Sequence, residues 1–166
     1  MSAPADVLGA RLRRVLGEAK YLSLATVSAS GEPWSAVLQY AVLPDPLRFL
    51  FGSAVGSRHS RDVAARPAVS GSLFVTGESL TEVDGAQFAG TCRELTEDEV
   101  RAHHAAFYDA LLPDEASRAE YTLPVTALLA PAEHRIYQVA VDRIWLIDTS
   151  RWIEDRIDRR VEVPLP

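Results

Sequence analysis

From residue 53 to residue 61 the chain reads Ser-Ala-Val-Gly-Ser-Arg-His-Ser-Arg. Three hydroxyls, a glycine hinge, two guanidiniums and one imidazole thus fall within nine positions, a set suited to holding an anion. Ser57 is placed to act as an N-cap, its hydroxyl accepting an orphan helix N–H. A short helix of about ten residues is expected to follow and to end before Pro67. A helix start presents unpaired N–H groups and the positive end of its dipole. The chemistry expected at Ser53, Ser57, Arg58 and His59 is therefore capture of a phosphate group, with Arg58 adding a charge-assisted fork. Spacing alone serves a plainer reading as well, in which Ser57 is only a cap and Arg58, His59 and Arg61 are only exposed.

Other chemistry-bearing residues offer less. His103 and His104 are neighbours on a predicted helix and point about 100° apart, a poor geometry for a shared metal. His134 falls in a predicted strand and reads as a half-buried surface residue. Cys92 has small neighbours and no adjacent His or Lys, which fits a buried structural thiol. Being the sole cysteine, it has no partner for an internal disulfide. No nucleophile-elbow motif supports Ser-His-Asp catalysis. Trp34, Tyr40, Trp145 and Trp152 read as core or contact aromatics, any one of which could stack on a flat ring.

The elements that must position these residues follow from periodicity. Residues 6–20 carry Leu8, Leu12, Val15, Leu16 and Ala19 at helical spacing, with Arg11, Arg13 and Arg14 on a solvated face. The pattern then alternates. Residues 21–27 and 34–42 read as a hairpin around a polar turn rich in Gly and Pro, and 47–52 as a third strand after Pro44-Asp45-Pro46. After the crossover helix, 68–76 is a nearly all-apolar fourth strand, and 85–94 a fifth that turns Ala86, Phe88, Gly90 and Cys92 to one face. Thr96 with Glu99 forms a capping-box signature for a second long helix, ended by Leu112-Pro113. Residues 114–131 read as one helical turn and a loop, 133–141 and 143–148 as closing strands, and 149–166 as a polar tail. The expected architecture is mainly β with flanking helices, a six-stranded antiparallel barrel that leaves no open sheet edge.

Composition bounds the class. The chain has 166 residues, 48% hydrophobic and 24% charged, enough for one domain (1–166, core about 6–148) with its own core. Seventeen basic against 23 acidic residues give −6, which argues against a dedicated nucleic-acid binder. Neither a signal-like apolar stretch nor a window of about 18 apolar residues is present, so a soluble, cytoplasmic protein without membrane contact is expected. No Cys/His cluster has metal-ligand spacing.

Taken in order, YLSLATVSASGEPWSAVLQYAV, LRFLFGSAVGSRHSRDVAARPAVSGSLF, GAQFAGTCREL and HRIYQVAVDRIWLIDTSRWIEDR resemble the pyridoxamine 5′-phosphate oxidase-like, FMN-binding split-barrel family. The likeness spans about residues 10–156 and is nearest to small uncharacterised members of the YhbP type. It implies a six-stranded split barrel, a homodimer with its cofactor site at the interface, a small-molecule substrate and flavin oxidoreductase chemistry. It also implies FMN contacts at Ser53, Ser57, Arg58 and His59 for the phosphate, with His59 standing where many members carry Lys. Val37 and Leu38 would meet the ring edge through their backbone, Gln87 would lie near it, and Arg156 matches the arginine of a terminal Asp-Arg pair. Where the oxidases proper have two cationic residues on the second strand, this chain has Ala36 and Ala41. Trp152 and Glu154 stand where they grip pyridoxamine phosphate, and a Glu there would repel a phosphate. Authentic pyridoxamine phosphate oxidase activity is therefore not expected. The resemblance leaves a deazaflavin reductase, or a non-catalytic sensor barrel with no cofactor, as alternatives. Haem-binding relatives of the fold leave an axial histidine as a further one.

Overall fold

The computed structural model describes residues 4–76, 84–148 and 155–165. Helix α1 (Ala5–Glu18) precedes strands β1 (Tyr21–Val27), β2 (Pro33–Gln39), β3 (Ala41–Pro44) and β4 (Leu47–Ala54). Helix α2 (Arg58–Ala65) leads into β5 (Ala68–Val75) and β6 (Asp84–Glu94). Next come α3 (Glu97–Leu111), α4 (Glu115–Tyr121) and a 3₁₀ turn at Val125–Leu128, before β7 (His134–Ile147) and β8 (Arg160–Val163). Every strand pair is antiparallel, and the sheet order is β2-β1-β5-β6-β7-β4-β3, with β8 added to β7. The antiparallel split-barrel architecture expected from the sequence is present, with eight strands among the described residues where six were expected.

Strands β2 and β3 are the two ends of that order, yet one residue, Tyr40, separates them in the chain. The sheet therefore has to curl until its ends meet. At the corner Tyr40 turns its ring into the core, edge-on to Phe49 with centroids 5.4 Å apart. Its hydroxyl donates to the Leu16 carbonyl in the last turn of α1 at 3.2 Å, and burial pushes its pKa up to about 12. The continuous strand read over 34–42 is thus two strands broken at Tyr40, because the residue that looked like one more alternating position is the corner.

Inside the curl, Leu22, Leu24, Phe49, Phe51, Phe88, Val139, Ile144 and Leu146 are almost wholly buried, together with Leu8, Leu12 and Val15 of α1. Each large side chain removed from water contributes roughly 1.5–3 kcal/mol. A second cluster lies on the outer face of β3, β4 and β7, where Phe107 and Tyr108 of α3 and Leu128 cover Ala41, Leu50 and Ile136. On the rest of the outer face no helix of the described residues covers the sheet; there Val37 is 72% exposed, Phe74 59% and Tyr21 49%.

Three further differences have local causes. The closing segments read as two strands are one long β7, interrupted only by a bulge at Asp142: Ala89 pairs with Arg143 while Gly90 pairs with Val141. Gly90 fits there because a Cβ on it would lie 2.1 Å from the Ala140 carbonyl oxygen, a backbone atom with nowhere to move. The tail 149–166 contains β8, whose Val163 is buried against Ile144. Segment 114–131 holds a two-turn helix capped by Asp114, whose carboxylate accepts from Ser117 N–H at 2.8 Å, and the 3₁₀ turn. Nor are Arg11 and Arg14 simply solvated. Arg11 grips Asp84 with two N–H donors at 2.8 and 2.5 Å and also donates to the Ile147 carbonyl, and Arg14 adds a third bond to Asp84. Burial alone would raise the Asp84 pKa, but the guanidiniums and the Gly85 N–H hold it below the usual range. Arg13 is exposed, as read.

The capping box at α3 is present: Thr96 N–H donates to Glu99 at 2.9 Å and Glu99 N–H to the Thr96 hydroxyl at 3.4 Å. Hydrogen bonding to Arg93 is the main reason the Glu99 pKa falls from 4.5 to about 2. Its folded pKa lies below its unfolded one, so this stabilisation is complete above pH 4.5 and disappears as pH drops towards about 2. In urea unfolding followed by circular dichroism, Glu99→Gln will lose less stability than the wild type across that window. Gly90→Ala will cost about 3 kcal/mol in the same measurement, since the bulge cannot relax around a methyl group.

Candidate functional site

Strand β4 ends at Ala54, and the turn after it is fastened at both sides. Val55 N–H donates to the Glu133 carbonyl at 2.8 Å and Ser57 N–H to the Ala54 carbonyl at 3.1 Å. Ser57 caps α2, its hydroxyl oxygen accepting from Ser60 N–H at 3.3 Å. The same oxygen is 3.1 Å from Ser53 Oγ and 3.1 Å from His59 Nε2, and Ser53 Oγ is 2.7 Å from that nitrogen. Two hydroxyls and an imidazole therefore meet at one point. The first-turn amides of Arg58 and His59 have no intrahelical carbonyl partners. A Cβ built on Gly56 would meet nothing within 4 Å, so space lies open beside the turn.

The ring of His59 is edge-on to Phe51, 6.1 Å away, and Phe51 is stacked on Tyr137 at 5.3 Å. Burial lowers the His59 pKa, and Asp62 pulls it back upward. Asp62 is itself buried and accepts from the Thr26 hydroxyl at 2.9 Å, which ties α2 to β1. The corner thus joins two hydroxyls to an imidazole whose protonated form burial disfavours, and it is attached to the barrel wall through Asp62 and Thr26.

The two arginines of the segment are turned away. Arg58 reaches Glu32 at 3.5 Å and lies over the Trp34 ring, 4.7 Å from its centroid. Arg61 donates to the Gly56 carbonyl at 2.7 Å. The fork expected of Arg58 lies towards Glu32 and Trp34, and of the basic side chains of this turn it is His59 that faces the hydroxyls.

Val37 and Leu38 line a groove of about 500 Å³ together with Tyr21, Gly52, His134 and, from α3, Phe107, Tyr108 and Leu111. The groove follows the split where β2 leaves β4, and Gly52 links it to Ser53. Gln87 lies elsewhere. It sits on the outer sheet face beside Ser72 and Trp145, and its carbonyl accepts from Arg160 at 2.7 Å. Arg156 precedes β8 with φ 57°, a left-handed conformation unusual for a side-chain-bearing residue. Residues 152 and 154 lie outside the described residues. Ala36 faces the inside opposite Leu24 and is half-buried; Ala41 is buried in the apolar cluster under α3, where an uncompensated cation would be costly.

The contribution of α3 to the groove was not foreseen. Its helical pattern is plain in the sequence, but nothing there tells which face of the sheet Phe107 and Tyr108 cover. A second groove of about 400 Å³ adjoins the first, sharing Tyr21, Gln39 and Leu111, and carries Lys20, the sole lysine of the chain, at its rim. Of the remaining candidates, His104 donates to the Leu123 carbonyl at 2.7 Å and tilts against Tyr108. Cys92 is buried, its thiol pushed up to about 12 by desolvation.

Comparison with known proteins places this geometry. The family model for pyridoxamine 5′-phosphate oxidase matches residues 8–147. No curated protein matches the sequence. Among solved structures, a haem-binding protein from Mycobacterium smegmatis is similar at 18% identity and TM-score 0.69, over 98% of this chain and 58% of that one. A protein of unknown function from Agrobacterium tumefaciens shares 22% identity at TM-score 0.64, over 88% and 60% of the two chains. An FAD-binding protein from Mesorhizobium loti shares 16% at TM-score 0.60, over 80% and 88%. This chain thus spans less than two thirds of the length of the first two, and at such identities the likeness is one of fold.

The cap at Ser57 can be measured independently of any ligand. Ser57→Ala will lower the unfolding free energy by about 1 kcal/mol in urea titration.

Proposed function

The chain belongs to the pyridoxamine 5′-phosphate oxidase family, and from that premise we propose that it is an FMN-binding oxidoreductase that is not itself a pyridoxamine phosphate oxidase. The observation that carries this reading is the meeting of Ser53, Ser57 and His59 at the first turn of α2, next to an apolar groove. The donor set fits a phosphate. Two hydroxyls meet at the start of α2, whose first-turn amides lack helical partners, the Asp62 carboxylate is occupied by Thr26, and the space beside Gly56 is open. The groove fits a flat ring, with Val37 and Leu38 on one side and Phe107 and Tyr108 on the other. Bound there, FMN would supply hydride or electron-pair transfer. The chain's own part is to fix the phosphate, present the β2 backbone to the ring edge and keep water from its α3 side.

The uncovered outer sheet face, with Tyr21, Val37 and Phe74 exposed, supports a homodimer. Val37 belongs both to this face and to the groove, so a second copy seated there closes the cofactor site. Gln87, remote from Ser53 in its own chain, reaches a flavin only across such an interface, and Arg156 is assigned the same role. The substrate is a small molecule and the expected location cytoplasmic, in keeping with the described residues, which include no helix long and apolar enough to cross a membrane. Authentic oxidation of pyridoxamine phosphate is set aside because Trp152 and Glu154 replace its phosphate grip.

A second reading is favoured by His134, whose ring borders the same apolar groove: a haem held by that imidazole, as the similarity to a haem-binding protein allows. A deazaflavin in the same groove, or a barrel with no cofactor, completes the alternatives.

Fluorescence titration separates these readings. FMN will bind with micromolar affinity, and riboflavin, which lacks the phosphate, at least about tenfold more weakly. Ser53→Ala combined with Ser57→Ala will reduce FMN to the riboflavin level. Equal affinity for FMN and riboflavin overturns the phosphate assignment. A Soret band lost in His134→Ala selects haem, tighter binding of deazaflavin selects that coenzyme, and a colourless protein that binds none of them is a non-catalytic barrel. Sedimentation will give a dimer at micromolar concentration; a monomer removes the interface.

A further inference from the structure

Three basic side chains accompany the hydroxyl corner, and their placement differs sharply. Arg58 is held by Glu32 and Trp34, Arg61 by the Gly56 carbonyl, and only His59 directs a ring nitrogen at both Ser53 and Ser57. A dianion seated on those hydroxyls would therefore meet an imidazole rather than a permanent charge. We infer that His59 is a proton-carrying phosphate ligand, so that seating a phosphate monoester dianion at this corner and protonating His59 are one coupled event. The inference rests on the phosphate-site reading above and deepens it by making occupancy of that site depend on pH.

The surrounding groups leave the imidazole as the variable charge. On its own helix Asp62 favours the protonated ring, but its carboxylate is engaged by Thr26. Across the sheet, Arg135 pairs with Ser53 in register, yet its guanidinium is taken by Glu94 at 2.6 Å and by the carbonyls of Ala132 and His134. Tyr137, behind Phe51, keeps its proton because burial raises its pKa, and its phenol meets Ser60. Burial likewise disfavours the protonated form of the free imidazole, which suits a site that is empty of anion.

The proton balance is simple. In the neutral ring with its hydrogen on Nδ1, Nε2 accepts from the Ser53 hydroxyl at 2.7 Å, while the Ser57 hydroxyl donates to Ser60 at 2.8 Å. A proton from solvent on Nε2 turns that nitrogen into a donor and frees the Ser53 hydroxyl hydrogen for an oxygen of the anion. No bond other than N–H is made. Since the dianion raises the ring's pKa, affinity is highest below the pKa of the free protein. It falls about tenfold per pH unit between the free and liganded pKa values and is level above the latter. A lysine in the same place would stay charged throughout that range.

The test compares wild type, His59→Lys and His59→Gln, titrated with FMN at constant ionic strength from pH 5.5 to 8.5. His59→Lys records the ligand's own ionisation. Relative to it, the wild type will lose affinity as pH rises, and His59→Gln will run parallel to His59→Lys at weaker affinity. Parallel curves for wild type and His59→Lys overturn the inference while leaving the phosphate site standing. If none of the three prefers FMN over riboflavin, the phosphate-site reading fails and the inference with it. On the wild type alone, the His59 imidazole resonance in NMR will titrate at a higher pH once inorganic phosphate or FMN is added. An unchanged midpoint, or an equal rise with riboflavin, overturns the coupling.

Discussion

The architecture depends on a constraint one residue long. The outermost strands of the sheet, β2 and β3, are joined through Tyr40, so a flat sheet is impossible for this chain. Curling brings the apolar faces of all the main strands together and gives α1 a concave surface to fill. The corner is secured three ways: the Tyr40 ring packs on Phe49, its hydroxyl ends on Leu16, and Ala41 beyond it is locked under α3. Because β2 pairs with β1 while β3 pairs with β4, the closure is incomplete along the line where they part. That seam is the groove.

Groove and anion corner are therefore consequences of the same closure. Strand β4 brings Gly52 to the groove and Ser53 to the corner in consecutive positions. The turn after β4 is short enough that the cap of α2 also becomes part of the corner. One hydroxyl thus serves two ends: Ser57 starts the helix and contributes to the donor cluster. Asp62, one turn on, binds the helix to β1 and keeps the cluster from moving relative to the strands.

Much of this was legible. Alternation located the strands and set the nearly all-apolar segment 68–76 inside the sheet, Ser57 and Thr96 announced two helices, and the ordered motifs gave the barrel and the family. What the sequence hid was of one physical kind, contacts between residues far apart in the chain. Tyr40 looks like any strand aromatic until its hydroxyl finds Leu16. Asp142 looks like a break between strands because a bulge residue disturbs alternation as a loop does. Arg11 and Arg14 lie on the polar side of α1, and their partner, Asp84, is some seventy residues away. Within the site, the hydroxyls and His59 were readable as a set, but the diversion of Arg58 to Trp34 and the roofing of the groove by α3 were not.

The placement of Lys20 has a practical side. It bears the chain's sole side-chain amine, and it stands at the rim of the depression that continues the groove beside Val37 and Leu38. Amine-directed chemistry, whether a fluorophore ester or an activated sensor chip, will address that rim rather than scatter over the surface. A dye installed there reports on whatever enters, whereas a chip coupled there turns the opening towards the matrix and hides it from solutes.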